Sequence, residues 1–222
     1  MTQAIRVLVV DDHPVIRQGL SQLFSLDQAF AAVTQAGSIA EARTALRETA
    51  PDVMVLDLSL GKESGLDLLR MLRTEGNSLP VVVLSMYDES VYAERALHAG
   101  AQAYLMKQSA AEHVVSAVHR VLRGEIVVSA AIQSQLISRM VRGKAAVGQL
   151  ESLSDREIQV LQLLGQGLST SAIAITLNRS AKTIETHRAA LKSKLGLRSG
   201  LELLRYAARW QPDQPLVAPD RG

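Results

Sequence analysis

The sequence predicts a doubly wound α/β domain with a five-stranded parallel sheet, followed by a smaller all-α domain of four helices. Three observations lead there. Up to residue 123, short apolar runs alternate five times with amphipathic helical stretches, the pattern of a parallel sheet covered on both faces. Beyond residue 151 the strand pattern stops, and capped helical stretches follow at short intervals. Charge divides along the same line: residues 1–123 carry a net −3 and residues 124–222 a net +5, within a chain of +2. An acidic first part joined to a basic second part suggests two tasks, the second directed at a polyanion.

A chain of 222 residues accommodates two compact domains, and its 47% apolar residues can supply their cores. The absence of cysteine excludes disulfides, thiolate metal sites and thiol catalysis, and is compatible with a reducing cytoplasm. No apolar signal core follows a basic patch at the N-terminus, and no run approaches the roughly 20 apolar residues of a membrane span. A cytoplasmic protein without a membrane partner is the expectation.

Ile5 to Val10 is the first strand and ends on Asp11-Asp12. Pro14 then opens a helix, where its missing N–H costs little, with Val15/Ile16, Gly19/Leu20, Leu23 and Phe24 as the inward stripe. Ala31 to Ala36 is the second strand. Ser38-Ile39-Ala40-Glu41 reads as a capping box starting a helix to about Ala50. The run Val53-Met54-Val55-Leu56 is a strand buried on both faces, and it ends abruptly on Asp57. Ser64 and Gly65 introduce a helix through Leu66, Leu69 and Leu72 that stops near Gly76. Pro80 to Ser85 is a further buried strand, and the helix Asp88 to Ala99 stops at Gly100. Ala103 to Lys107 is the last strand. Ser109-Ala110-Ala111-Glu112 reads as another capping box, ahead of a helix carrying Val114, Val115, Val118, Val121 and Leu122 on one side.

Parallel strands bring their carboxyl ends to one edge, where open α/β sheets keep their sites. That edge holds Asp11, Asp12, Asp57, Ser85 and Lys107. Three close carboxylates repel one another unless a cation joins them, and Mg²⁺ suits a few carboxylates, water and phosphate. The set fits capture of a phosphoryl group: Asp57 attacks phosphorus, Asp11 and Asp12 hold Mg²⁺, Lys107 neutralises a phosphoryl oxygen, and Ser85 donates to the acyl phosphate. Each Asp as a mere helix cap is the plainer alternative.

Val9-Val10-Asp11-Asp12-His13, Leu56-Asp57, Leu84-Ser85 and Tyr104-Leu105-Met106-Lys107 resemble the receiver domain of two-component response regulators over roughly residues 4–123. The resemblance implies a flavodoxin-like fold, phosphorylation of Asp57 by a sensor histidine kinase, and Mg²⁺ held by Asp12, Asp57 and the backbone carbonyl of Ser59, with Asp11 helping. It also implies a switch in which Ser85 moves toward the phosphoryl group and Tyr104 turns inward. The stretch Leu58 to Gly65 departs from the family's usual Met-Pro or Pro-Gly turn, and Lys62-Glu63 beside the site is expected to alter phosphoryl lifetime or kinase choice. Tyr87 is a further candidate for shielding the acyl phosphate.

Residues 124–150 form a linker: Gly124 to Ser129 leaves the first domain, Ala130 to Val141 is a helix with Ile132, Leu136, Ile137 and Met140 on one side, and Gly143 to Gly148 is small, basic and flexible. In the second domain, residues 151–210, Ser154 and Glu157 cap a helix through Ile158, Val160/Leu161 and Leu164. Ser169 or Thr170 caps a short helix with Ile173, Ala174 and Leu177. After the turn Asn178-Arg179-Ser180 a longer helix runs through Ile184, His187, Leu191 and Leu195 to Gly196, and Arg198 to Trp210 supplies the fourth. Residues 211–222, with three prolines, read as a disordered tail.

From Arg179 to Arg198 six basic residues face Glu185 alone. Long cations on a helix that follows a short helix and a tight turn fit a helix-turn-helix entering the major groove. Leu153-Ser154-x-Arg156-Glu157, Gly167-Leu168-Ser169, Ile173-Ala174, Lys182-Thr183-Ile184-Glu185-Thr186-His187 and Lys194-Leu195-Gly196 look like the LuxR-type helix-turn-helix. A receiver followed by that domain resembles the NarL/FixJ group of transcriptional regulators. The resemblance implies backbone contacts from Lys182, Thr183, His187, Lys192 and Lys194, with Glu185, Thr186, Arg188 and Ala189 nearest the bases. Glu185 could accept from cytosine N4. The implied partners are double-stranded DNA, a sensor histidine kinase, RNA polymerase and a second copy of the chain when phosphorylated, often through the segment around Leu201, Leu204 and Tyr206. In the resting state the receiver is expected to cover the recognition helix. Two rivals stand beside this reading: a phosphohydrolase working through an aspartyl phosphate, which lacks a general acid because Ser59 occupies the usual place, and a constitutive DNA binder whose receiver only dimerises.

Overall fold

The computed structural model describes residues 4–61, 63–142 and 152–210. The expected flexible linker 143–148, the tail 211–222, Lys62 and the side chains of Glu112 and Met140 lie outside the described residues. The chain divides into two compact units, residues 1–137 and 138–222.

In the first unit the elements are β1 (Ile5–Val10), α1 (Pro14–Ser25), β2 (Phe30–Ala36), α2 (Ile39–Thr49), β3 (Val53–Leu56), β4 (Ser59–Leu60), β5 (Glu63–Ser64), α3 (Gly65–Thr74), β6 (Val81–Ser85), α4 (Glu89–His98), β7 (Ala103–Met106), a 3-10 turn (Lys107–Ser109) and α5 (Ala110–Leu122). The sheet order is β2-β1-β3-β6-β7, and every pairing is parallel. Because chain order reverses beside β1, the crevice at the β1/β3 carboxyl ends is where such a sheet receives a ligand.

Side chains alternate between faces along each strand. Val7, Val9, Val53, Val55, Val82 and Leu84 join a core with Leu20 and Phe24 of α1 and Val114, Ala117, Val118 and Val121 of α5. Leu8, Val10, Met54, Leu56 and Val83 point the other way and are equally covered, which leaves α2, α3 and α4 to bury that face. Branched and apolar side chains without polar interruption suit a strand enclosed on both sides. The inward stripe of α1 is narrower than expected: Leu20 and Phe24 are buried and Ile16 and Leu23 partly so, but Val15 is 78% exposed.

Caps explain several boundaries. Ser38 accepts from Glu41 N–H at the start of α2, yet the Glu41 carboxylate reaches Gly37 N–H, so the box is displaced by one residue. Ser109 does not cap α5; its hydroxyl donates to Met106 O. At the far edge, Tyr104 N–H donates to Val127 O and Val127 N–H to Gln102 O, so the segment after α5 pairs with β7 in parallel. This closes an otherwise open edge, and the first compact unit accordingly runs past residue 123. α6 (Ala130–Arg142) follows, with Ile132 buried and Ile137 exposed.

The second unit contains α7 (Asp155–Gly165), α8 (Thr170–Thr176), α9 (Ala181–Leu195) and α10 (Gly200–Arg209). Ser154 and Glu157 form a complete capping box on α7. Ser169, rather than Thr170, caps α8, and Ser180 caps α9. The turn between α8 and α9 passes through Asn178 at φ +49°, a region that asparagine tolerates better than most residues. Ile158, Leu161, Leu164, Ile173, Ile184, Leu191, Leu195 and Leu203 form the core. Among the described residues, no helix is long and apolar enough to cross a membrane.

Candidate functional site

β1 and β3 end side by side: the Asp57 N–H donates to Val10 O at 2.8 Å, so Asp11 and Asp57 leave the sheet together. Both carboxylates are buried, and the Lys107 ammonium from the end of β7 spans them. Nζ stands 2.6 Å from Asp11 Oδ2 and 2.7 Å from Asp57 Oδ2, with the lysine side chain 6% exposed. Asp12 is more open, and its Oδ2 accepts from Gly61 N–H at 2.9 Å. His13 Nδ1 lies 2.8 Å from Asp12 Oδ1 and 3.2 Å from Asp11 Oδ1, while its backbone N–H donates to Asp11 Oδ1. Arg17 on α1 donates to Asp11 O at 2.6 Å and ties the loop to the first helix.

The loop after Asp57 is more ordered than its sequence suggests. β4 and β5 form a small antiparallel hairpin turning at Gly61, φ +58°. Gly65 N–H donates to Leu58 O, so the next pair, Ser59 with Ser64, falls at a non-hydrogen-bonded position of the ladder. Both backbone groups of Ser59 then face away from β5, and its N–H donates to Asp57 Oδ1 at 3.1 Å. Its carbonyl therefore faces the same side as that carboxylate.

Electrostatics follow from burial. Burial pushes the Asp57 carboxyl up to about 6, with the Asp11 charge adding to the rise, while Lys107 and the Ser59 N–H oppose it. Burial also works against the Lys107 ammonium, but Asp57 and Asp11 outweigh it and hold its pKa above the usual lysine value. The Lys107 ammonium thus meets two of the three carboxylates, and among the described residues Asp12 has no lysine or arginine partner. Asp11 Oδ2 and Asp12 Oδ1 are buried without a well-formed hydrogen bond, and oxygens of Asp11, Asp12 and Asp57 together with a His13 nitrogen lie within 4.8 Å of one another. An oxygen-rich, under-neutralised cluster of this kind fits a small hard divalent cation such as Mg²⁺.

Ser85, fully buried at the end of β6, accepts from Tyr87 N–H at 3.1 Å. Tyr104 is turned inward: burial raises its phenol pKa, and the hydroxyl donates to Tyr87 O at 2.7 Å. The Tyr87 ring stacks on buried Tyr92, centroids 4.9 Å apart.

In the second unit, Lys182, Glu185, Thr186 and Ala189 are exposed at the three- and four-residue spacing of one α9 face. Thr183, His187 and Lys192 are half-buried beside it. Burial holds the His187 pKa below its usual value, against the pull of Glu157. Two of the side chains named for DNA have partners within the unit. Lys194 Nζ donates to Glu157 Oε2 at 2.7 Å and Ser152 O at 2.9 Å, so its charge is engaged within the unit at the α7 cap. Arg188 follows Ile184 by four residues and precedes Leu191 by three, on the covered side of α9, and its side chain is 19% exposed. It turns toward Glu185 and Thr170 rather than outward. Sequence reasoning assigned no role to Thr170 here, nor to Gly61 and Arg17; nothing local marks them, although His13 was legible as a neighbour of Asp11-Asp12.

A trio of carboxylates, two of them buried, with an invading lysine at a parallel-sheet edge, joined in one chain to a cationic helix-turn-helix, defines a protein that couples a receiver to a DNA-binding domain. Residues 7–119 match the response regulator receiver domain, and residues 151–207 match the bacterial regulatory proteins of the luxR family. The chain is 37% identical over 194 residues to the nitrate/nitrite response regulator protein NarP of Escherichia coli (strain K12), covering 87% of this chain and 90% of that protein. It is 34% identical over 201 residues to the transcriptional regulatory protein UhpA of the same organism, covering 90% and 96%. A LuxR-family two-component response regulator from Aurantimonas sp. SI85-9A1 superposes with TM-score 0.57 at 31% identity, over 63% of this chain and 99% of that one. RcsB from Salmonella enterica serovar Typhimurium, bound to promoter P1flhDC with phosphomimetic BeF3−, gives TM-score 0.60 at 25% identity, over 94% and 100%. The chain belongs to the NarL/FixJ group of two-component response regulators, and it is a transcription factor rather than a conventional enzyme.

Proposed function

We propose that Asp57 is the phosphoacceptor through which a sensor histidine kinase controls DNA binding by the second unit. The carrying observation is the Lys107 ammonium between Asp11 and Asp57 at the sheet edge. An Asp57 oxygen attacks the phosphorus of the kinase's phosphohistidine; the new O–P bond forms as the P–N bond breaks, and the donor histidine leaves. Asp11, Asp12, Asp57 and the Ser59 carbonyl hold Mg²⁺, which supplies positive charge for the transferring group when bound. Lys107 neutralises a phosphoryl oxygen. Ser85 donates its hydroxyl proton to the acyl phosphate, and Tyr104 with Tyr87 shields that side from water. Turnover of the acyl phosphate at Asp57 is self-catalysed.

For DNA, Lys182, Thr183 and Lys192 contact phosphates, and His187 adds a hydrogen bond beside them. Glu185, Thr186 and Ala189 meet base edges, whereas Arg188 and Lys194 act inside the unit. The phosphorylated protein acts in the cytoplasm as a dimer through α10, where Leu201 and Leu204 are exposed; the promoter-bound RcsB structure with a phosphomimetic supports the link between phosphate and DNA. Incubation with Mg²⁺ and acetyl phosphate tests the nucleophile: the parent takes up one phosphoryl group and Asp57→Asn none. Equal labelling of both would sink the assignment.

A further inference from the structure

We infer that Thr170 and Arg188 set the base preference of the recognition helix by holding the Glu185 carboxylate. This rests on the DNA-binding reading above and deepens it. Glu185 Oε1 accepts from Thr170 Oγ1 at 2.9 Å and from Arg188 Nη1 at 3.0 Å, and Arg188 Nη1 also donates to Thr170 Oγ1. The ring is self-consistent, because a hydroxyl can accept from the guanidinium while donating its single proton to the carboxylate. Thr170 opens α8, Glu185 and Arg188 belong to α9, and a side chain on Gly200, the first residue of α10, would lie 3.7 Å from Arg188 Nη2. The guanidinium is therefore enclosed by three helices, while Glu185 remains 58% exposed on the face of Lys182 and Thr186.

Two costs attend a carboxylate brought to a major groove. Phosphates repel it, and a long exposed side chain loses rotamer freedom when it binds. Here the neighbouring guanidinium offsets the charge, and the Thr170 hydroxyl pre-orders the rotamer before DNA arrives. With Oε1 engaged twice, Oε2 is left to accept from a base amino group, and a carboxylate in the major groove suits the N4 amino group of cytosine. Thr170 and Arg188 are positioning residues, since they act through Glu185 and touch no base.

Site selection from a random-sequence duplex library by the full chain, phosphorylated with acetyl phosphate, tests this. The parent should enrich a motif with a strong cytosine at one position of each half-site. Thr170→Val should lower discrimination at that position by about five- to tenfold, leaving the rest of the motif and the melting temperature unchanged. Thr170→Ser should retain the parent's preference, and Glu185→Gln should shift it toward adenine. Arg188→Leu should behave as Thr170→Val if it folds. Discrimination unchanged in Thr170→Val, or equal weakening at every position, would overturn the inference. A parent that enriches no motif would instead remove the DNA-binding reading itself.

Discussion

Lys107 donates to Asp57 across the carboxyl edge of the sheet, Nζ to Oδ2 2.7 Å, although the two residues lie 50 positions apart in the chain. The same ammonium meets Asp11, so it is the cation already in place where a divalent ion is proposed to bind. Removing it separates two roles. Lys107→Met should slow phosphorylation of Asp57 by roughly 100-fold. It should also tighten Mg²⁺ binding, because a competing positive charge is gone. Calorimetric titration of Mg²⁺ and labelling rates from acetyl phosphate measure the two effects; weaker Mg²⁺ binding would show that the ammonium does not compete.

The pH dependence of stability has a defined sign. Asp57 is raised from an ordinary 3.8 to about 6 when folded, so between those values the folded chain binds more protons than the unfolded one. Stability from this group is greatest when it is protonated, falls as pH rises through the window, and stays lower above it. Without divalent ions, Asp57→Asn should therefore be more stable than the parent near neutral pH by about 1–3 kcal/mol, and the difference should close in acid below the ordinary carboxylate value. Denaturant unfolding across pH measures the gap, and Mg²⁺ should narrow it by stabilising the parent.

Gly65 is required by space rather than by turn geometry. A Cβ there would lie 2.1 Å from Asp57 O and 2.9 Å from Leu58 Cα, both backbone atoms. Gly65→Ala should destabilise the first unit by about 1–3 kcal/mol and displace the phosphoacceptor, so labelling should drop as well. Gly19, in α1 with nothing within 4 Å of its Cβ direction, is the control. Gly19→Ala should raise stability by about 0.5–1 kcal/mol, with labelling unchanged. Thermal melts and acetyl phosphate labelling of both variants check the pair.

The two kinds of lysine on α9 are separable by salt. Lys182→Ala and Lys192→Ala should each reduce the slope of log affinity against log salt by about 0.9. Lys194→Ala should leave the slope unchanged and instead lower the melting temperature of the second unit, because its ammonium bonds Glu157 Oε2 and Ser152 O. DNA titrations at several salt concentrations, with melts of each variant, distinguish a phosphate contact from a brace.

Much of this was legible along the chain. The apolar runs ending on Asp11-Asp12, Asp57, Ser85 and Lys107 marked both the strands and the edge where they end, because burial on both faces demands unbroken apolar sequence. The capping box at Ser154 and Glu157 and the αL glycine Gly196 were equally local signals. The hairpin at Ser59 to Ser64 was missed: each of its strands has two residues, too few to show a period. Arg73 was missed for another reason. No local pattern singles it out, yet its guanidinium donates to the carbonyls of Asn77, Leu79 and Gly100 and fastens two loops of the first unit.

By itself, the sequence determined the parallel sheet, the helix-turn-helix, and the residue types available for phosphoryl capture and DNA contact, since periodicity, caps and strand ends are properties of neighbouring residues. Only the tertiary structure decided which charges meet. It set Lys107 between two acids, drew Lys194 into a helix cap, and turned the Arg188 guanidinium toward Glu185 and Thr170. The reason is physical: a charged side chain costs little in water whichever way it points, so its orientation is left to whatever partner the packed backbone brings within reach.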